Sequence, residues 1–226
     1  MRLKVCGMTG IAQLKELETI GVDFAGLIFY PQSPRYAMKF GLTPELLKQE
    51  KLRINRVGVF VNEEQDTVLR IVDKWKLDMV QLHGDESPSY CEHISHHVNT
   101  IKAFRIGNNE NVPYKTFPFN EVVDFYLFDT LGKQYGGTGE QFKWDLLCHA
   151  PVPKPYFLSG GIGPEDVDRL SQFCENEKKL FAIDVNSKFE QSPGVKDMNK
   201  VKDFFNAIKI TFNLNFKCFY NFLQLH

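Results

Sequence analysis

Eight short apolar runs alternate with eight segments of helical or irregular pattern along the 226 residues, and polar or glycine-rich residues recur just after the apolar runs. These two observations predict an α/β protein, a single (β/α)8 TIM barrel, because such barrels display their reactive groups at the C-terminal tips of parallel strands. A third observation agrees: no G-x-G-x-x-G follows the first run, as an open dinucleotide-binding sheet would require. The barrel is expected over residues 1–210, with no linker and no second domain. Residues 211–226, rich in Phe, form a short aromatic C-terminal extension of unassigned role.

The first strand is read in Arg2-Leu3-Lys4-Val5-Cys6, where alternation puts Lys4 and Cys6 on one face and Leu3 and Val5 on the other. Gly7 ends it. Ile11, Leu14, Leu17 and Ile20 then recur at helical spacing up to Gly21, and residues 24–29 follow as a buried strand. The Pro-rich loop 30–36 fits neither element. Thr43-Pro44 opens a second helix with a capping residue and a proline at its first position. Strand three covers 55–61, a helix runs from about 63 to 74, and strand four is 79–84. Ser87-Pro88 starts the fourth helix, strand five is 100–105, and the Asn- and Pro-rich stretch 107–120 predicts a short or irregular helix. Strand six, 125–130, ends in Asp129-Thr130. Glycines 136, 137 and 139 precede a helix near 142–147; strand seven is 156–158 and strand eight 180–185. The eighth helix is expected over 197–210.

Composition narrows the partners. With 27 basic and 28 acidic residues the net charge is −1, which points to no nucleic-acid or membrane surface. The five cysteines, Cys6, Cys91, Cys148, Cys174 and Cys218, are widely spaced with no C-x-x-C pair, as in a reduced, cytoplasmic protein. No segment resembles a signal peptide, and no run approaches the roughly 20 apolar residues of a membrane helix. The six histidines form no metal pattern. A monomer or homodimer acting on a small molecule is expected.

Several residues stand where chemistry would be done. Cys6 sits at a strand tip, although cysteine more often serves as a small buried hydrophobe. Lys4 on the same face is costly inside a strand unless paired or working. Arg35 can grip a carboxylate through two parallel hydrogen bonds, or simply be a solvated loop residue. Gln81 and His83 share a face, so that one of them lines a wet cavity, or His83 is a satisfied structural histidine. The turns Gly137-Thr138-Gly139, Gly160-Gly161 and Asn186-Ser187 follow successive strands, and such turns offer backbone N–H groups to an anion. Those after strands seven and eight fall where barrels of this type hold phosphate. Together these tips offer a thiol, an acid, an arginine and a phosphate cradle, which suits isomerisation of a sugar phosphate.

The segments K-V-C-G-M-T (4–9), G-L-I-F-Y-P-Q-S-P-R (26–35), V-G-V-F-V (57–61), Q-L-H-G (81–84), F-D-T (128–130), G-G-T-G-E-Q-F-K-W (136–144), L-S-G-G-I (158–162) and D-V-N-S (184–187) resemble the phosphoribosylanthranilate isomerases. They occur in that family's order and span residues 4 to about 197. The resemblance implies an Amadori rearrangement of a phosphoribosylated anthranilate in tryptophan biosynthesis, without metal or cofactor. It further implies Asp129 as general acid, Cys6 as general base and Arg35 facing the anthranilate carboxylate. The phosphosugar would be held by Gly137, Thr138, Gly139, Gly160, Gly161, Asn186 and Ser187, with Asp184 also among the substrate-binding residues. Cys6 must then be tuned down to act as base, and Asp129 must stay protonated near neutral pH. Lys4, held by Asp184 on the neighbouring strand, is expected to assist Cys6, with His83 in support. The chain departs from the family at Ser187-Lys188-Phe189-Glu190, where many members carry Ser-Gly-Val-Glu, and at Met8. Another phosphate-binding barrel, such as a pentulose-phosphate epimerase or the indole-forming synthase, and a non-catalytic sugar-phosphate-binding barrel are the competing readings.

Overall fold

In this computed structural model residues 1–131, 142–148 and 150–223 are described, with backbone alone at 176 and from 213 onward. β1 (Arg2–Val5) divides its side chains as alternation requires: Leu3 and Val5 enter the core between sheet and helices, while Lys4 faces the barrel interior. α1 (Ile11–Ile20) buries Leu14 and Leu17 and is closed by Gly21, whose φ of 90° lets its N–H reach the carbonyls of Leu17 and Glu18. β2 (Phe24–Ile28) leads through the Pro-rich loop to α2 (Pro44–Glu50). There the Thr43 oxygen accepts from the Leu46 N–H at 3.2 Å, a cap of about 1 kcal/mol.

The alternation then continues through β3 (Asn55–Phe60), α3 (Gln65–Trp75), β4 (Met79–Leu82), α4 (Pro88–Ser95) and β5 (Asn99–Ile106). α5 (Val112–Thr116) is short, as its prolines predict, and is followed by β6 (Phe125–Thr130). α6 (Asp145–Cys148) is a single turn. It begins three residues later than the sequence pattern predicts, because Phe142 and Trp144 are buried as core anchors ahead of it. β7 (Tyr156–Leu158), α7 (Val167–Asn176) and β8 (Leu180–Val185) complete the series.

All eight strands pair in parallel and in chain order, and β1 closes the barrel against β8 with Lys4 opposite Asp184. The interior is a packed apolar plug that includes Val57, Met79, Ile101, Leu127 and Ala182. Its lower end is aromatic, with Phe24 edge-on to Phe157 at 5.7 Å and the Arg2 guanidinium 4.3 Å from the Phe181 ring. Polar side chains inside the barrel therefore collect at the C-terminal end of the strands. The expectation of a (β/α)8 barrel is met.

Two further features depart from the sequence reading. A hairpin, β9 (Glu190–Ser192) and β10 (Val195–Lys196), stands between β8 and the last helix. That helix, α8 (Met198–Leu223), runs 26 residues and passes through the expected end at 210, since no glycine or proline interrupts it. Among the described residues no helix is long and apolar enough to cross a membrane.

Candidate active site

The tip of β1 brings a lysine and a thiol into the barrel mouth. Lys4 is 0 % exposed and donates from Nζ to Asp184 Oδ1 at 2.9 Å, as the β1–β8 register allows. Burial opposes the Lys4 charge, but Asp184 and the neighbouring Cys6 outweigh it and hold the ammonium above its ordinary pKa. Cys6 is 4 % exposed. Burial pushes its thiol up, Lys4 and Lys196 pull it down, and Asp184 pushes it up again, so the net direction is upward. The expectation of a thiol tuned down is thus corrected: Lys4 lowers it as anticipated, but less than burial raises it.

Across the mouth, Asp129 at the end of β6 is 7 % exposed and lies 3.3 Å from His83, Oδ2 to Nε2, without the alignment of a hydrogen bond. Its other oxygen accepts from the Thr130 N–H at 2.9 Å. Gln81 Nε2 lies 2.7 Å from His83 Nδ1. With the amide nitrogen as donor, the ring hydrogen sits on Nε2, towards Asp129. Burial pushes the Asp184 carboxyl up, Lys4 pulls it down and the Asp129 charge pushes it up again, so the net direction is upward. The loop carrying His83 is held from outside the barrel by a buried pair, Lys102 Nζ to Glu86 Oε2 at 2.7 Å. Glu86 Oε1 in turn accepts from the N–H groups of Asn62 at 2.9 Å and Gly84 at 3.1 Å.

Arg35 leans over the β1 tip. Its stem crosses Gly7, where an added Cβ would lie 2.8 Å from Arg35 Cδ and 3.1 Å from Asn186 Oδ1. Its guanidinium grips a carboxylate, as its chemistry predicts, but the carboxylate is Glu190 of the same chain. Nε donates to Oε1 at 2.9 Å and Oε2 at 3.0 Å, and Nη2 donates to Oε2 at 2.7 Å. Lys196 on β10 donates to Glu190 Oε1 at 2.7 Å and to Asn186 Oδ1 at 2.6 Å.

The glycine turn after β7 needs its residue type. Gly160 and Gly161 have φ of 95° and 65°, and a Cβ on Gly160 would sit 2.7 Å from the Thr130 backbone nitrogen. The turn therefore rests directly against the Asp129 strand end. Asn186 and Ser187 follow β8, Ser187 opening a single 3-10 turn. Gly137, Thr138 and Gly139 lie outside the described residues. Of the residues singled out from sequence, Cys6, Lys4, Asp184, Asp129, His83, Arg35, Gly160, Gly161, Asn186 and Ser187 all belong to the C-terminal ends of strands or the loops that follow.

Sequence reasoning missed Glu190 and Lys196, as well as Glu86 and Lys102. Lys102 carried a signal, since a lysine inside an apolar strand needs a partner. Glu190 carried only its place in the Ser187-Lys188-Phe189-Glu190 run, where Phe189 is buried and packs at 5.0 Å on Phe204.

These features define a class: a (β/α)8 barrel with a thiol, carboxylates and an imidazole gathered at its C-terminal mouth beside glycine turns suited to an anion. Comparison with known proteins makes it particular. The family described as N-(5'phosphoribosyl)anthranilate (PRA) isomerase matches residues 3–207. An N-(5'-phosphoribosyl)anthranilate isomerase of Parabacteroides distasonis is 36 % identical over 209 residues, 92 % of this chain and 93 % of the relative. The crystal structure of phosphoribosyl anthranilate isomerase from Thermotoga maritima is 34 % identical with a TM-score of 0.79, covering 92 % of this chain and 98 % of the other. A solved phosphoribosyl anthranilate isomerase in complex with reduced 1-(o-carboxyphenylamino)-1-deoxyribulose 5-phosphate is 32 % identical, with a TM-score of 0.76 and the same coverage. The chain belongs to the N-(5'-phosphoribosyl)anthranilate isomerase family.

Proposed function

We propose that this chain isomerises N-(5'-phosphoribosyl)anthranilate to 1-(2-carboxyphenylamino)-1-deoxyribulose 5-phosphate, with Asp129 as general acid and Cys6 as general base. The observation that carries the reading is that two buried ionisable groups stand at the ends of β1 and β6 at one barrel mouth, with Lys4 bound to Asp184 at 2.9 Å and His83 3.3 Å from Asp129. Asp129 gives a proton to the ribose ring oxygen as the C1'–O bond breaks, and the nitrogen lone pair forms the protonated Schiff base. The Cys6 thiolate then takes the C2' proton. The C2'–H electrons become the C1'–C2' double bond and neutralise the iminium, giving an enolamine. Protonation at C1' and loss of the C2' hydroxyl proton yield the ketone.

The electrostatics give each group a task. Burial makes the thiolate a minority form at neutral pH, and Lys4 and Lys196 offset part of that cost. The iminium on the substrate, forming beside Cys6, lowers the remainder. His83 faces the Asp129 carboxylate left after proton donation. Arg35 takes the anthranilate carboxylate, while Gly160, Gly161, Asn186, Ser187 and the loop 137–139 take the phosphate. The catalytic unit is residues 1–210, and residues 211–226 contribute none of these groups.

The test is direct. Purified protein mixed with freshly generated N-(5'-phosphoribosyl)anthranilate should remove the substrate's fluorescence far faster than its spontaneous breakdown. No loss above that background, from protein shown to be folded, overturns the reading.

A further inference from the structure

Arg35 meets another carboxylate within the chain, and the manner of that contact defines what is left for a ligand. Glu190 covers the Nε–Nη2 edge of the guanidinium through three hydrogen bonds of 2.7 to 3.0 Å. Nη1 takes no part in that contact, so the Nη1–Nη2 edge of the planar group is the outer fork left for a ligand, and the Arg35 side chain is 14 % exposed. Arg35 is therefore held in the plane of one carboxylate.

Glu190 is itself fixed. Its side chain is 5 % exposed, and Oε1 also accepts from Lys196 Nζ at 2.7 Å and from the Gly194 N–H at 3.1 Å. Lys196 is 2 % exposed and ties this carboxylate to Asn186 through Oδ1 at 2.6 Å and the backbone oxygen at 3.2 Å. The Thr9 hydroxyl pins the hairpin turn by donating to the Gly194 oxygen at 2.6 Å. Two cations share one anion, so the cluster keeps a net positive charge for an anionic ligand.

We propose that Glu190, backed by Lys196, is the positioning residue that presents the outer edge of Arg35 to the carboxylate of the substrate's aromatic ring. The inference rests on the assignment of Arg35 to that carboxylate and adds the device that aims it. Arg35 alone is a long side chain with several rotatable bonds. Gripped by Glu190 it is held in advance, so less ordering remains when the ligand binds. The β9–β10 hairpin places Glu190 and Lys196 against the β1 tip. The same lysine reaches Asn186, so the carboxylate end and the phosphate end of the mouth are held by one buried ammonium.

The experiment compares two substrates, N-(5'-phosphoribosyl)anthranilate and N-(5'-phosphoribosyl)aniline, which lacks the ring carboxylate. Wild type, Arg35→Ala, Glu190→Gln and Lys196→Met are assayed on both after a circular dichroism check. Glu190→Gln should lower kcat/KM for the carboxylated substrate on the order of 10- to 100-fold, mainly through KM, the scale of a misplaced positioning group. Its loss on the aniline substrate should be at least about 5-fold smaller, so that the ratio of the two kcat/KM values falls. Lys196→Met should move the same ratio in the same direction by less, and decides the matter if Glu190→Gln does not fold. Equal losses on both substrates would reduce Glu190 to a structural role and overturn the inference. An Arg35→Ala variant that discriminates while Glu190→Gln does not refutes the positioning claim alone. Failure of Arg35→Ala to discriminate removes the Arg35 assignment and the inference with it.

Discussion

Lys4→Met is the sharpest perturbation of the barrel mouth. It keeps the length of the stem and removes the ammonium that lies 2.9 Å from Asp184. Asp184, 6 % exposed, is then a carboxylate without its ion-pair partner. The fold can tolerate it by keeping it protonated. An unfolded aspartate ionises near pH ~3.9, so holding the proton at neutral pH spans about 3 pH units at about 1.36 kcal/mol each, or about 4 kcal/mol. That agrees with the roughly 3–5 kcal/mol typical of a broken buried pair. It is a large share of the roughly 5–15 kcal/mol by which such domains are stable. In the variant the folded state binds a proton that the unfolded state has lost, so stability falls as pH rises. Burial already holds the wild-type Asp184 carboxyl above its ordinary value despite Lys4, so the full proton cost is the upper bound of the deficit, which should shrink as pH falls towards ~5. Urea denaturation of wild type, Lys4→Met and Lys4→Met/Asp184→Leu at about pH 5, 6 and 7 measures this. The double variant, with an apolar pair in place of the charges, should recover most of the loss. A deficit below about 1 kcal/mol at neutral pH, or one that does not change with pH, would refute the reasoning.

Cys6, raised by burial, should be alkylated by iodoacetamide with a midpoint above the ~8.5 of a free thiol, read by mass spectrometry at its peptide. Lys4→Met should move that midpoint further up, and a midpoint below ~8.5 in the wild type would contradict the upward direction. Gly160→Ala, forced to φ of 95° against the Thr130 nitrogen, should cost about 1–3 kcal/mol in urea denaturation and raise KM for the phosphorylated substrate. Burial alone would raise the Glu190 carboxyl, but its hydrogen bond to Arg35 and the charge and hydrogen bond of Lys196 bring it below its ordinary value. Its stabilisation is therefore present above the unfolded pKa of ~4.3 and lost as pH falls through the lower folded value. The stability gap between wild type and Glu190→Gln should be constant from neutrality to about pH 5 and close below about pH 4.

The strands and their tips were legible because a buried parallel strand has few ways to be written. Phe125–Thr130, Tyr156–Leu158 and Leu180–Val185 are apolar runs bounded by polar or glycine residues, and they fold over those same spans. The Lys4–Asp184 pair was legible too, since alternation fixes both faces and barrel closure fixes the neighbours. Glu190 and Lys196 were not. In a polar stretch broken by Pro193 and Gly194 they look like solvated surface residues. Glu190 is buried against Arg35, 155 positions away, and Lys196 against Asn186 and Glu190, and no local pattern encodes it. The direction of the Cys6 shift was hidden for a related reason. Sequence displays the lysine that lowers the thiol but not the depth of burial that raises it. The extra turns of α8 follow from the absence of any glycine or proline after residue 198, a signal that the aromatic content of the same stretch masks.

The division of labour between Cys6 and Asp129 is the central claim. It is tested by measuring turnover of N-(5'-phosphoribosyl)anthranilate by wild type, Cys6→Ala and Asp129→Asn beside the affinity of each for reduced 1-(o-carboxyphenylamino)-1-deoxyribulose 5-phosphate. Both variants should bind that analogue within about 10-fold of wild type while kcat falls by about 10²–10⁴, the range for a lost general acid or base. A folded variant of either kind that keeps most of its turnover would contradict the account.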